Sequence, residues 1–194
     1  MTGVQTCALP ISILGRFDEA LRLTRRAVDL DPLNAMSWEI LGETKFDAGQ
    51  TDEAIEDLKR AVELNPDLWN GHIFLSEIYI LQGRPQDALL EIRRVRLDST
   101  RVSLDAIAYH ALGRKKESDA ALRELIAKYH SGSEYVIAGV YAFREESDEA
   151  FGWLDRAYDQ RNSGLILTKV DPLLKSLHHD PRYAALLKKL NLPN

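Results

Sequence analysis

The residues that could do chemistry in this chain of 194 residues fall into a few polar clusters. His178-His179-Asp180 has the residue types of a transition-metal site, since imidazole and carboxylate both ligate zinc and similar ions. Adjacent residues point in different directions, however, and no third or fourth ligand stands nearby in sequence, so the stretch reads as a solvated loop. Asp148, Glu149 and Asp155 are carboxylates of the kind used in hydrolysis. General acid–base work needs a perturbed pKa in a cleft, whereas acids on a helix of this type ordinarily cap it or face water. Ser131-Gly132-Ser133 is a short polar hairpin connection and not a phosphate cradle. Among the tryptophans, Trp38 and Trp153 stand at helical spacing among apolar neighbours and read as packing groups. Trp69 opens a hairpin and reads as partly exposed. The single cysteine, Cys7, permits neither an internal disulfide nor a cysteine-based zinc site. Gly-rich kinase loop, His-Arg-Asp catalytic loop and paired cyclase aspartates are all missing. The expectation is a chain that is not an enzyme and carries no catalytic, cofactor or metal site.

Bulk properties narrow the partners. Lys and Arg total 25 against 30 Asp and Glu, a net charge of −5 with the signs interspersed. A nucleic-acid partner needs a concentrated basic face to displace phosphate counterions, so none is expected. No apolar run reaches membrane-spanning length, so this sequence also points to no membrane partner.

The elements that must position these residues announce themselves by repetition. Gly15-Arg-Phe-Asp-Glu-Ala20, Gly49-Gln-Thr-Asp-Glu-Ala54 and Gly83-Arg-Pro-Gln-Asp-Ala88 recur at an interval of 34 residues, which also carries Ala27 to Ala61 and Pro32 to Pro66. Asp31-Pro32 and Asn65-Pro66 stop one helix and start the next hairpin, because proline lacks the N–H and pushes its predecessor out of the α region. Gly49 and Gly83 end first helices by taking the left-handed position. In the second helix, Ala54, Leu58 and Ala61 share one face, where small residues let helices approach closely. Trp38 and Leu41 fill the space beside Gly42, as Leu75 and Tyr79 do beside Ser76.

Period and pattern resemble the tetratricopeptide repeat (TPR) family, specifically over residues 15–95. The resemblance implies an all-α, right-handed solenoid of antiparallel helix hairpins with a short C-terminal capping helix. Beyond Val95 the repeat degrades: residues 103–112 read as a shortened first helix, Gly113 as its stop, and 117–129 as a second helix with Ala120, Ala121 and Leu125 inward. Residues 134–144 and 148–160 form a further hairpin whose glycine stop is replaced by Glu145-Glu146. Asp180-Pro181 reads as an N-cap with proline at N1, opening a last helix through Leu190. The expected organisation is a TPR array over 13–164, about four and a half hairpins with the first truncated, and a C-terminal cap over 165–194.

Residues 1–12 stand apart. Met1-Thr-Gly-Val-Gln-Thr-Cys-Ala-Leu-Pro-Ile11 shares no periodicity with the rest and resembles the translated end of a sequencing adapter, read in frame from a GTG start. The alternative, a short apolar targeting segment, lacks a basic n-region and is interrupted by Pro10. On the adapter reading, the helix that should cover residues 17–30 is lost, and that helix's apolar face should be under-covered. Targeting is then unknown.

A narrower resemblance covers residues 137–187. Val140-Tyr-Ala-Phe-Arg144, Asp148-Glu-Ala-Phe-Gly-Trp-Leu-Asp-Arg-Ala-Tyr158, Lys169-Val-Asp-Pro-Leu-Leu174 and Asp180-Pro-Arg-Tyr183 are similar to TPR tails of bacterial signalling proteins. Those tails follow adenylate or guanylate cyclase, serine/threonine kinase or winged-helix regulator domains. The resemblance implies a regulatory tail and a bacterial, cytoplasmic setting.

TPR arrays line a concave groove with exposed positions of their first helices. In register, those are Met36, Glu39, Glu43, Phe46 and Asp47, then Asn70, Ile73, Glu77, Ile80 and Leu81. TPR domains that clamp a peptide carboxylate use lysine and asparagine where this chain has Glu39 and Glu43, so such a ligand is repelled. The expected partner is a protein or peptide segment that is basic and apolar. An amphipathic helix and the chain's own upstream domain both fit that description. A merely solvated groove is the other reading.

Overall fold

The structure, a computed structural model, describes residue 11 and residues 16–192, and the regular structure among them is entirely helical. The adapter-like reading of 1–12, apart from Ile11, lies outside the described residues, as does Gly15. The chain divides into two compact units, Met1–Arg96 and Leu97–Asn194.

The first unit contains α1 (Phe17–Leu30), α2 (Ala35–Asp47), α3 (Thr51–Leu64), α4 (Trp69–Leu81) and α5 (Pro85–Ile92). Asn34 caps α2 through its side chain, which accepts from the N–H groups of Met36 and Ser37. Gly49 ends the hairpin's first arm at φ +77°, a backbone state that costs glycine nothing. Across the hairpin Ala54, Leu58 and Ala61 are fully buried. Gly42 admits that contact: a Cβ there would stand 2.7 Å from Leu58 Cγ. Lys45 is buried in the same hairpin and reaches Asp57 (2.6 Å) and Glu53 (3.3 Å) of α3. The face of α1 expected to be under-covered is buried at Ala20, Thr24, Ala27 and Val28, where α1 packs on α2. Leu30 and Leu33 stay exposed.

The second unit contains α6 (Asp98–Ala111), α7 (Lys115–Tyr129), α8 (Glu134–Phe143), α9 (Ser147–Asp159), 3₁₀ segments at Ser163–Leu167 and Pro172–Leu177, and α10 (Pro181–Lys189). Two sequence expectations change here. The helix read as shortened is full length, because Asp98, Ser99, Thr100 and Arg101, loop-like in composition, form its first turn. Arg101 ties that turn together through Asp98 at 2.9 Å. The inner face of α7 is Ser118, Leu122 and Leu125, whereas Ala120 is exposed and Ala121 only half-buried. Ser118 takes the small-residue position that alanine holds upstream, and its hydroxyl becomes tolerable by donating to the Ala106 carbonyl (2.7 Å).

At the α8–α9 turn the missing glycine is replaced by Glu145 itself, held at φ +62°. The neighbouring Arg144 is buried and donates to Asp119 (2.6 Å), Glu146 (2.7 Å) and Ser118 (3.2 Å). The C-terminal segment then closes the unit. Leu165, Leu174, Leu177, Tyr183, Leu186 and Leu187 join the core of α8 and α9, while Arg182, Lys188 and Lys189 face solvent. Asp171 caps the second 3₁₀ segment by accepting from Leu173 N–H and also takes the Tyr135 hydroxyl (2.8 Å). Asp180 caps α10 with Pro181 at its start, as the sequence pattern implies.

Candidate functional site

The residues singled out for a groove lie on α2 and α4, which are neighbours within the first unit. Glu39, Glu43 and Asp47 follow one another at four-residue steps along α2 and so share one face. Glu77 holds on α4 the position that Glu43 holds on α2, one 34-residue interval later. Asn70 of α4 ties the helices together, its Nδ2 donating to Glu39 Oε1 at 2.8 Å. Glu39 is 6 % exposed, and its other oxygen, Oε2, is buried with no hydrogen-bond partner among the described residues.

Burial raises the Glu39 carboxyl above its ordinary range, and the Asn70 hydrogen bond only partly opposes it. Glu43 is pushed up to about 8, first by burial and then by the like charges of Asp47, Glu39 and Glu77. The lysine on the same helix, Lys45, is committed to Asp57 and Glu53 of α3.

The apolar members divide. Met36 and Leu81 are 41 % and 39 % exposed, with Phe46 half-buried. Ile73 and Ile80, expected to be exposed, are 9 % and 4 % exposed, and Glu39 likewise is buried. The reason lies in α4, whose sequence is apolar nearly all round, so that Gly71, His72, Ile73, Leu75, Ser76, Ile78, Tyr79 and Ile80 are all buried. The accessible lining is therefore Met36, Glu43, Phe46, Asp47, Asn70, Glu77 and Leu81, with Glu39 beneath it.

The other polar clusters resolve into structure. His178 and His179 are exposed, and the His178 ring lies 4.5 Å from that of Tyr183. Among the described residues no group of three or more His, Cys, Asp or Glu could hold a metal ion. Asp148 accepts from Arg182 (2.8 Å), and Asp155 pairs with Lys189 (3.5 Å), so both acids anchor α10 to α9. Trp38 donates its indole N–H to the Pro32 carbonyl (2.8 Å). Trp153 packs on the second unit's core, and Trp69 remains partly exposed. No helix among the described residues is long and apolar enough to cross a membrane.

Family models described as tetratricopeptide repeat match residues 14–67 and 45–112. The chain belongs to the tetratricopeptide repeat family. Solved TPR structures share the fold. A thermophilic TPR protein in Thermus thermophilus is 23 % identical with a TM-score of 0.68, covering 95 % of this chain and 97 % of that one. A TPR protein from Parabacteroides merdae is 16 % identical with a TM-score of 0.65, covering 97 % and 76 %. YrrB, described as a TPR protein with an unusual peptide-binding site, is 17 % identical with a TM-score of 0.55, covering 84 % and 87 %. A search of curated proteins finds no significant match. TPR proteins in general mediate protein–protein interaction, and the fold is typically a scaffold without catalysis.

Sequence reasoning placed the acids on the right helices but missed their mutual confinement. The signal was available: Glu43 and Glu77 occupy equivalent repeat positions, and such positions stack side by side in an array.

Proposed function

We propose that this TPR chain is an interaction module that holds a partner segment against α2 and α4, and that the segment is basic and apolar. The observation that carries this reading is the strip of acids at Glu43, Asp47 and Glu77, edged by exposed Met36 and Leu81. An isolated exposed ion pair contributes only about 0–1 kcal/mol, so apolar contact with Met36, Phe46 and Leu81 must supply much of the affinity, with charge setting selectivity.

The test is selection of random dodecapeptides displayed on phage against the full chain, followed by measurement of the winners on Met36→Asp and Leu81→Asp variants. Enrichment of peptides whose binding falls at least tenfold in both variants supports the groove. Failure to enrich, or winners indifferent to both changes, removes it. The resemblance of residues 137–187 to signalling tails supports a second reading, in which the occupant belongs to the same polypeptide. A long sequencing read across the genomic locus distinguishes them: an in-frame cyclase, kinase or winged-helix region favours the tail, its absence a separate adaptor.

A further inference from the structure

We propose that the exposed face of the second helices in the first unit, α1, α3 and α5, docks an acidic segment of a partner protein. This surface is separate from the groove on α2 and α4, and it stands or falls independently of the groove reading.

Three observations carry it. The first is a second pattern at the 34-residue interval: Arg25-Arg26 on α1, Lys59-Arg60 on α3 and Arg93-Arg94 at the end of α5. All six side chains are exposed. Repeat-equivalent positions stand side by side in a TPR array, so the three pairs form a cationic ladder across the helices. The linear sequence hides it, because acids lie between the pairs along the chain and the net charge is −5. The second observation is that the ladder is poorly neutralised. Arg60 meets Glu63 at 3.3 Å with both side chains exposed, and Arg25 acts on Asp57, which Lys45 already holds at 2.6 Å. Arg26, Lys59, Arg93 and Arg94 form no ion pair with any described residue. The equivalent positions of the second unit hold Arg123-Glu124 on α7 and Asp155-Arg156 on α9, so there the signs are mixed. The third observation is apolar surface beside the cations. Leu30, one turn after Arg26, is 67 % exposed, and Leu90, one turn before Arg94, is 59 % exposed. On α1 a depression of about 430 Å³ is lined by Arg22, Leu23, Arg25, Arg26 and Asp29.

Charge complementarity selects the occupant. Like charges gathered on one face repel one another, and an arriving acid relieves that repulsion. Five of the six ladder residues are arginines, whose planar guanidinium can hold a carboxylate through two parallel hydrogen bonds. A nucleic-acid backbone or an anionic bilayer presents its charge continuously and would meet the exposed Glu56 and Glu63, which flank Lys59-Arg60 on α3. A polypeptide can space its carboxylates to avoid those acids and bring apolar side chains to Leu30 and Leu90. The exposed ion pairs are individually weak and salt-screened, so the ladder acts by number and the leucines add apolar contact.

The experiment measures, by fluorescence anisotropy on the full chain, the binding of a labelled dodecapeptide of repeated Glu-Glu-Leu. Its comparisons are the Gln-Gln-Leu counterpart, a thymidine dodecanucleotide, and vesicles of phosphatidylcholine with phosphatidylserine. The expected result is that the acidic peptide binds, weakens as salt rises from about 50 to 200 mM, and outcompetes all three comparisons. Arg25→Glu with Arg26→Glu, and separately Arg93→Glu with Arg94→Glu, each weaken it at least tenfold. Arg123→Glu on the second unit and Met36→Asp or Leu81→Asp in the groove leave it unchanged, which separates this surface from both. Leu30→Ser with Leu90→Ser weakens it at least threefold. Glutamine in place of each arginine pair, with losses in the same direction, covers the case in which a charge reversal does not fold. No binding of the acidic peptide, equal binding of the glutamine peptide, or indifference to both arginine pairs overturns the proposal. Tighter binding of the oligonucleotide or the vesicles through the same arginines overturns it too, and assigns the ladder to phosphate.

Discussion

The hairpins α2–α3 and α8–α9 solve the same packing problem by different means. In the first, the turn glycine Gly49 takes the left-handed backbone freely, and Gly42 lets Leu58 come into contact with the helix axis. In the second, a glutamate is forced into the left-handed state at Glu145, the place of Gly42 is taken by the fully buried Ala138, and the adjoining Gly139 faces the C-terminal segment with space for a Cβ, which would meet only Leu173 at 3.6 Å. The strain at Glu145 is tolerated because Arg144, one residue earlier, is locked by Asp119, Ser118 and Glu146, and because the C-terminal segment packs on α8 and α9. A regular repeat relies on local residue choices. A degraded one relies on distant partners.

The most damaging change should be the one that removes a distant partner. Arg144→Ala removes the buried guanidinium that donates to Asp119, Glu146 and Ser118, leaving Asp119 only the exposed Lys115, and should cost about 2–4 kcal/mol in urea unfolding. A loss below about 1 kcal/mol would show that the capping segment alone sustains the turn. The two helix glycines sharpen the contrast. Gly42→Ala pushes a methyl into Leu58 and should cost about 1–3 kcal/mol. Gly139→Ala, with space available and better helix propensity, should be neutral or stabilise by up to about 1 kcal/mol. Equal effects at both positions would erase the distinction.

The acid strip makes a third difference, visible in pH. Because the folded-state pKa of Glu43 is raised to about 8, its contribution to stability is present below the ordinary carboxylate range and is lost as pH rises through about 8. Glu43→Gln stays neutral throughout and should stabilise the chain by about 1–2 kcal/mol at pH 9 with little effect at pH 4. Thermal melts at the two pH values check this, and parallel curves for the two proteins would count against it. The smallest effect concerns the turns: Glu145→Gly should stabilise by about 0.5–1 kcal/mol, and Gly49→Ala should destabilise by about 1 kcal/mol or slightly more.

Much of the fold was legible because its devices are local. The 34-residue interval, Asn65-Pro66, Gly49 and the Ala54-Leu58-Ala61 face each act within a turn or two of their own position, so the linear order displays them. Where the reading failed, the deciding partner was distant or the residue type ambiguous. Ala120 and Ala121 read as the inner face of α7 because the polar Ser118 enters the core only by donating its hydroxyl to the Ala106 carbonyl, and the polar first turn of α6 reads as loop until Arg101 ties it together. The groove was half legible for the same reason. Helix periodicity put Met36 and Leu81 at the surface, but Glu43 is half-buried, and Ile73 and Ile80 are buried because α4 is apolar on nearly every side.

By itself the sequence determined an all-α TPR chain, the positions of most helix ends, a capped last helix and an acidic strip on two first helices. Tertiary structure alone decided that Glu39 sinks beneath that strip onto Asn70, that Glu43 keeps its proton near neutral pH, and that Glu145 bears a strained turn. The physical reason is the range of the forces. Helix propensity, capping and turn geometry depend on neighbours a few residues away, whereas desolvation and charge repulsion depend on what approaches from another helix.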